Sequence, residues 1–119
     1  MLDVAPLDLA AFNDPSLEAG ELIDLVLEHF PGETVLSCSF GGPTGMVALD
    51  MVLERDRTVP VYYLDTELLF PQTYDLVDRV AERYGVRPIP VRSPLGVLQQ
   101  NAAYGSALWE RDPDACCNI

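Results

Sequence analysis

The stretch 34–55 places a short apolar strand, a tight turn and a helix directly after one another. Residues 34–38 are β-branched, apolar or small, as a buried strand requires. Gly41 and Gly42 permit a sharp turn, and Pro43 suits the first position of a helix, where its missing N–H is not needed. Apolar residues cover most sides of the helix that follows, so we expect it to be largely buried.

Further strands and helices alternate along the chain. Strands are predicted over 59–64 and 86–91, with a helix over 71–84 between them. Another helix is predicted over 15–30, opened by Asp14 as N-cap. Strands alternating with helices form parallel sheets with right-handed crossovers. The sequence therefore predicts an α/β fold: a parallel sheet with flanking helices.

Two prolines indicate the order of the strands. Pro88 and Pro90 remove two backbone donors that point to the same side of the third strand, so that side should be a sheet edge. The order 3-2-1 satisfies this condition and puts the first strand next to the second. Ligands of open α/β sheets lie beyond the carboxyl ends of the strands. The turn at 39–43 and the loop at 65–70 both occupy such ends, and we expect one crevice there.

Composition limits the classes of partner. The 119 residues predict a single domain, 1–119, with 1–13 as a lead-in segment. Nineteen acidic residues against seven basic ones, all arginine, give a net charge of −12, which repels nucleic acid and acidic membranes. We expect a cytoplasmic protein, because no apolar run is long enough to span a membrane and no secretory signal opens the chain. Three cysteines in that compartment argue against a disulfide scaffold.

The turn after the first strand is a candidate anion site. A helix that starts there points free N–H groups and a partial positive charge at whatever lies above it. Ser37, Ser39 and Thr44 add hydroxyl donors. The same kind of turn also forms corners that hold no ligand, and neither G-x-G-x-x-G nor the lysine-bearing P-loop is present. Arg92 and Arg111 could neutralise a bound phosphate or could simply be solvated.

Three stretches together resemble the assimilatory sulfonucleotide reductases, which reduce adenylyl sulfate or its 3′-phosphorylated form to sulfite. The first is Ser-Cys-Ser-Phe-Gly (37–41), followed by Leu-Asp-Met at 49–51. The second is Tyr-Leu-Asp-Thr (63–66) with Leu-Phe-Pro-Gln-Thr-Tyr at 69–74. The third, Trp-Glu-Arg-Asp-Pro-Asp-Ala-Cys-Cys at 109–117, resembles the segment that carries a cysteine pair in the adenylyl-sulfate branch.

The resemblance implies a Rossmann-like fold of the adenine nucleotide α-hydrolase type, with strand order 3-2-1-4-5. It implies that Cys116 and Cys117 ligate a 4Fe–4S cluster, and the presence of this pair favours adenylyl sulfate over the 3′-phosphorylated substrate. Thioredoxin is the implied electron-donating partner. The implied substrate-binding residues are those that cradle the phosphosulfate and those that line the nucleotide crevice: Ser37, Ser39, Phe40, Gly41, Gly42, Leu64, Asp65 and Thr66.

The chain also departs from the pattern of that family. Glu67 stands where the family usually has glycine. The family continues with further strands, a second cysteine pair and a C-terminal cysteine that attacks sulfur, so no catalytic residue is assigned here. Two thiols cannot complete a four-cysteine site, and Cys38 is better explained as a core residue. We expect a partial domain, truncated after the third strand, that supplies the nucleotide-binding half and self-associates through the open edge of the first strand.

Two other functions fit parts of the same pattern. The chain could be a fragment that binds adenine nucleotides without catalysis. It could also be an ATP pyrophosphatase-like module, in which the turn grips pyrophosphate and Asp65 helps to bind Mg²⁺. The absence of an acidic residue at Pro43 argues against the second of these.

Overall fold

The computed structural model describes residues 9–119. The larger part of the predicted lead-in segment therefore lies outside the described residues. The helices and strands, in chain order, are α1 (Leu9–Phe12), α2 (Ala19–His29), β1 (Leu36–Ser37), α3 (Pro43–Arg55), β2 (Val61–Leu64), α4 (Pro71–Tyr84), β3 (Ile89–Val91), α5 (Val97–Tyr104), α6 (Leu108–Arg111) and α7 (Pro113–Cys117).

The three described strands form one parallel sheet in the order β1-β2-β3. Leu36 is paired with Val61, and Pro90 with Tyr63. Within the described sheet β3 pairs with β2 alone, which leaves its other side as an edge. The α/β class and the order read from the two prolines are confirmed.

The core lies between the sheet and the helices α3 and α4. Leu49 and Leu53 of α3 are fully buried and pack with Tyr63 of β2 and Val80 of α4. Helix α3 is less buried than the sequence suggests, since its Val47 is 58% exposed. The prediction that this helix is largely buried was therefore wrong: one face, with Leu49, Val52 and Leu53, is buried, and the other meets solvent.

Local signals account for the ends of the long helices. Pro43 and Pro71 open α3 and α4, and Gly85 ends α4 in the left-handed conformation at φ +65°. The predicted start of α2 at Asp14 was wrong. Asp14 accepts hydrogen bonds from the amide and hydroxyl of Ser16, which closes a turn, and α2 begins only at Ala19.

The segment after β3 folds into three short helices, α5 to α7. Gly96 and Gly105 flank α5, and Asp112 caps α7 by accepting a 3.1 Å hydrogen bond from the amide of Ala115. Helices α6 and α7 pack together and bring the C-terminal cysteine pair towards the sheet. None of the described helices has the length and apolar character to cross a membrane.

Candidate functional site

A cavity of about 580 Å³ opens at the carboxyl ends of β2 and β3. Its volume falls within the range of small-molecule sites. The end of β2 and the loop after it form one wall, and α5 with the C-terminal residues forms the other. Five predicted site residues from two distant parts of the sequence line this one space: Leu64, Asp65, Thr66, Cys116 and Cys117.

Asp65 is the most tightly held side chain of the cavity and is 5% exposed. Its Oδ1 accepts hydrogen bonds from the Tyr74 hydroxyl at 2.7 Å and the Glu67 amide at 2.9 Å. Its Oδ2 lies 3.1 Å from both Nε and Nη2 of Arg92, and its own amide donates to the carbonyl of Val91 on β3. Both carboxylate oxygens are therefore engaged by groups of the protein.

These contacts set the charge of Asp65. Burial by itself would raise the pKa of its carboxyl group. The hydrogen bonds from Tyr74, the Glu67 amide and Arg92, together with the arginine charge, outweigh burial and hold the pKa below its usual value. The same bond to Asp65 raises the pKa of the Tyr74 hydroxyl, because the neutral phenol is the donor. Asp65 is accordingly an ionised, saturated acceptor that fixes its neighbours.

Arg92 and Arg111 have different environments. Arg92 is the basic residue that lines the cavity; its side chain is 57% exposed, and its Nη1 group bonds to no described residue. Arg111 donates instead to the backbone carbonyls of Tyr104 and Ser106, at 2.7 and 3.0 Å, and so holds the connection between α5 and α6. Arg92 is the arginine of this pair that can meet a ligand in the cavity.

Glu67 lies in the left-handed region at φ +65°, where glycine is favoured. Its Oε2 accepts a 3.1 Å hydrogen bond from the amide of Val97, the first residue of α5. Gly96 makes this approach possible, since a Cβ atom there would lie 3.0 Å from Glu67 Oε1. The next amide is also satisfied within the chain, because Gly96 donates to Gln99 Oε1 at 2.6 Å. The N-terminus of α5 is therefore capped by the protein's own side chains.

The glycine-rich turn after β1 is a second, separate surface. Ser37, Ser39, Gly41 and Gly42 are exposed, and α3 begins after Gly42 without a side-chain cap. Phe40 is 3% exposed and adopts φ +56°, with its ring edge-on to Tyr63 at 5.6 Å. Its side chain belongs to the core, so only its backbone can meet a ligand. The turn and the cavity share the carboxyl edge of the sheet, but the turn does not line the cavity.

Comparison with known proteins identifies the family. The sequence profile of the phosphoadenosine phosphosulfate reductase domain matches residues 33–119. The chain belongs to this family.

Relatives with curated names and a solved structure agree with this family assignment. An adenosine 5′-phosphosulfate reductase of Oceanobacillus iheyensis is 35% identical over 108 residues, which is 90% of this chain and 45% of that protein. One of Bacillus pumilus is 38% identical over 111 residues, 91% of this chain and 47% of that protein. The chain thus spans about half the length of the curated relatives it matches. The crystal structure of phosphoadenylyl-sulfate reductase from Candida auris, a phosphate complex, matches with a TM-score of 0.76 and 26% identity over 96% of this chain and 57% of that one.

The cysteines of this reductase-family chain occupy two places. Cys116 is part-buried, with Sγ 3.8 Å from Gln100 Oε1, whereas Cys117 is exposed. Cys38 is buried in the core beside Gly45, as the sequence predicted. The described residues contain no group of three or more histidine, cysteine or acidic side chains that could hold a metal. Two thiols at the cavity do not fit a 4Fe–4S cluster on their own, since such a cluster takes four cysteine ligands.

Sequence reasoning missed two polar residues of this site. Tyr74 stood inside a quoted motif but was not predicted to contact Asp65, which lies nine residues earlier. Gln100 is 9% exposed and donates to the carbonyl of Leu95 while facing Cys116. The segment around Gln100 shows no clear hydrophobic period, so no sequence signal marked it as an inward-facing residue.

Proposed function

We propose that this chain supplies the nucleotide-binding half of an enzyme that reduces adenylyl sulfate to sulfite and AMP in assimilatory sulfate reduction. In the variant of this reaction, the substrate is the 3′-phosphorylated form and the nucleotide product is adenosine 3′,5′-bisphosphate. The observation that carries this proposal is the single cavity shared by the Asp65 loop and the cysteine pair. A nucleotide in that cavity would lie beside both elements that the family resemblance assigns to substrate and cluster.

The turn after β1 is our candidate for the phosphosulfate. Exposed serines and an uncapped helix end supply hydrogen-bond donors without any side-chain positive charge. Such local donors are needed because the net charge of −12 opposes anion binding from a distance. We assign phosphosulfate contacts to Ser37, Ser39, Gly41, Gly42 and the backbone of Phe40. Leu64 and Thr66, which line the cavity, would contact the nucleoside.

We assign Cys116 and Cys117 to one half of the ligand set of a 4Fe–4S cluster, with two more thiolates from outside the described residues. The attack on sulfur is likewise assigned to a thiol outside the described residues. Thioredoxin is our proposed electron donor, and the cytoplasm is our proposed compartment. Iron and acid-labile sulfide should be assayed after anaerobic reconstitution. We expect no stable cluster on the monomeric 119-residue chain; four irons per monomer would contradict this assignment.

Calorimetric titration tests the nucleotide proposal. Adenylyl sulfate, its 3′-phosphorylated form, AMP and ATP with Mg²⁺ should each be titrated into the chain. We expect adenylyl sulfate to bind best. A preference for ATP with Mg²⁺ would favour an ATP pyrophosphatase, although Asp65 already has both oxygens engaged and is a poor metal ligand in this state. Equal affinity for AMP and adenylyl sulfate would favour a non-catalytic binding fragment, and no binding would refute the proposal.

The open side of β1 supports association of this half domain. Within the described sheet β1 pairs with β2 alone, and Val35 beside it is 59% exposed. An unpaired strand edge is a template for another strand. We propose that the isolated chain self-associates there, and a monodisperse monomer in concentrated solution by light scattering would contradict this.

A further inference from the structure

We propose that Arg92 binds the phosphosulfate of the nucleotide and that Asp65 is the residue that positions it. This inference rests on the proposed function and adds a binding residue to it. The chemistry recognised is the anionic phosphosulfate group, a mixed anhydride of phosphate and sulfate, on an adenine nucleotide. Arg92 would hold that group from the β3 side, while the turn after β1 holds it from the other side.

The charges of the cavity single out Arg92. Asp65 and Glu67 are the acidic residues of the lining, and Arg92 is its basic one among the described residues. An anion that enters this space therefore meets one cation and two carboxylates. Since the net charge of the chain is −12, no long-range field compensates for the loss of that cation.

The guanidinium of Arg92 is held with part of its donor set free. Nε and Nη2 both lie 3.1 Å from Asp65 Oδ2, and Nη1 bonds to no described residue. Asp65 is itself fixed through its other oxygen by Tyr74 and the Glu67 amide. A guanidinium is a rigid planar fork, so anchoring one edge directs the remaining donors. Its exposure of 57% leaves them accessible from the cavity.

Two backbone donors at the start of α5 are already engaged. The amides of Val97 and Gly96, at the start of α5, bond to Glu67 and Gln99. The helix end that would otherwise attract an anion is thus occupied by a carboxylate of the protein.

The geometry of the sheet lets Arg92 and the turn act on one group. In parallel sheets neighbouring strands lie about 4.8 Å apart, so β1 and β3 are about 10 Å apart across β2. Arg92 directly follows β3, and the turn directly follows β1. A phosphosulfate above β2 could be reached by the long arginine side chain from one side and by the turn from the other.

The test compares ligands with and without the anion. Adenylyl sulfate, its 3′-phosphorylated form and adenosine should be titrated into the wild-type chain, Arg92→Gln, Arg92→Lys, Asp65→Asn and the control Arg79→Gln, in which an exposed arginine outside the cavity is lost. We expect Arg92→Gln to weaken adenylyl sulfate at least about tenfold, as for the loss of a charge-assisted hydrogen bond. Its affinity for adenosine should change by less than about twofold. Arg79→Gln should leave both affinities within about twofold.

Asp65→Asn and Arg92→Lys test the positioning role. We expect Asp65→Asn to reproduce the selective loss for adenylyl sulfate, whereas a merely structural role would weaken adenosine to the same extent. Arg92→Lys keeps the charge but not the planar guanidinium, and it should lose affinity for adenylyl sulfate to an intermediate degree. If Asp65→Asn does not fold, this variant alone tests whether the anchored guanidinium is needed.

Each contrary result has a distinct meaning. Unchanged binding of adenylyl sulfate by Arg92→Gln overturns the inference and leaves the proposed function intact. A loss confined to the 3′-phosphorylated ligand also overturns it, since Arg92 would then recognise the 3′-phosphate. Failure of the wild-type chain to bind any of the sulfonucleotides overturns the proposed function together with this inference.

Discussion

Replacing Asp65 by asparagine removes one charge from the centre of the site with almost no change in volume. The new Oδ1 can still accept from Tyr74 and the Glu67 amide, but an NH₂ group would face the Arg92 guanidinium. Hydrogen bonds to a charged group contribute about 1.5–3 kcal/mol, and Arg92 is partly solvated, which lowers its share. We expect the free energy of unfolding at neutral pH to fall by about 2–3 kcal/mol.

The pH dependence of stability tests the same prediction independently. The pKa of Asp65 is lower in the folded chain than its usual value. A carboxyl group of this kind stabilises the fold above its unfolded pKa of about 3.9, and the contribution is lost as pH falls through the lower folded value. Asparagine does not titrate. The difference in stability between wild type and Asp65→Asn should therefore be constant from about pH 5 to 7 and shrink below about pH 4.

Urea unfolding followed by far-ultraviolet circular dichroism at several pH values measures both quantities. Asp75→Asn is the matched control, because Asp75 is exposed on α4 and the substitution makes the same charge change. We expect that variant to stay within about 0.5 kcal/mol of wild type. If Asp65→Asn were equally stable, or if its deficit persisted unchanged at pH 3, the assignment of Asp65 as an ionised hub would be wrong.

Three further tests concern the backbone at Glu67, the burial of two phenylalanine rings and the exposure of the cysteines. Glu67→Ala should be about 1 kcal/mol less stable than Glu67→Gly in thermal or urea unfolding, because alanine retains the left-handed strain; equal stabilities would argue against φ +65° at this position. Phe40→Ala should cost about 3–4 kcal/mol, whereas Phe70→Ala, at a ring that is 77% exposed, should cost less than about 0.5 kcal/mol, and similar losses would contradict the different burial of the two rings. A thiol reagent such as dithionitrobenzoate should react fastest with Cys117, then with Cys116, and with Cys38 only on unfolding, as single-cysteine variants would show.

Much of the fold follows from signals that act within a few residues. Pro43, Pro71 and Gly85 mark helix ends that the structure reproduces, because each works through its own backbone geometry. Pro88 and Pro90 restrict the pairing of β3 for an equally local reason, the loss of two donors. The parallel sheet then follows from the alternation of strands and helices.

The remaining parts depend on competition between contacts. Asp14 is a better N-cap by residue type than Glu18, but it accepts hydrogen bonds from Ser16 and closes a turn instead. Helices α5 to α7 lack a strong period of their own, and their place is fixed by packing on one another and by the bonds of Arg111. Asp65 could be predicted as a site residue, but not its saturation by partners nine and 27 residues away.

Glu67 connects these local and distant effects. The family resemblance places glycine there, and the observed φ of +65° explains why, since a side chain at this angle costs about 1 kcal/mol or more. The carboxylate offsets part of this cost by capping α5 at Val97, an interaction of about 0.3–1 kcal/mol. Glutamate therefore costs less stability at this position than the backbone strain alone, but it adds a second carboxylate to the cavity. Under the proposed function, anion binding would rely on Arg92 and on the turn after β1, because the first amides of α5 are bonded to Glu67 and Gln99.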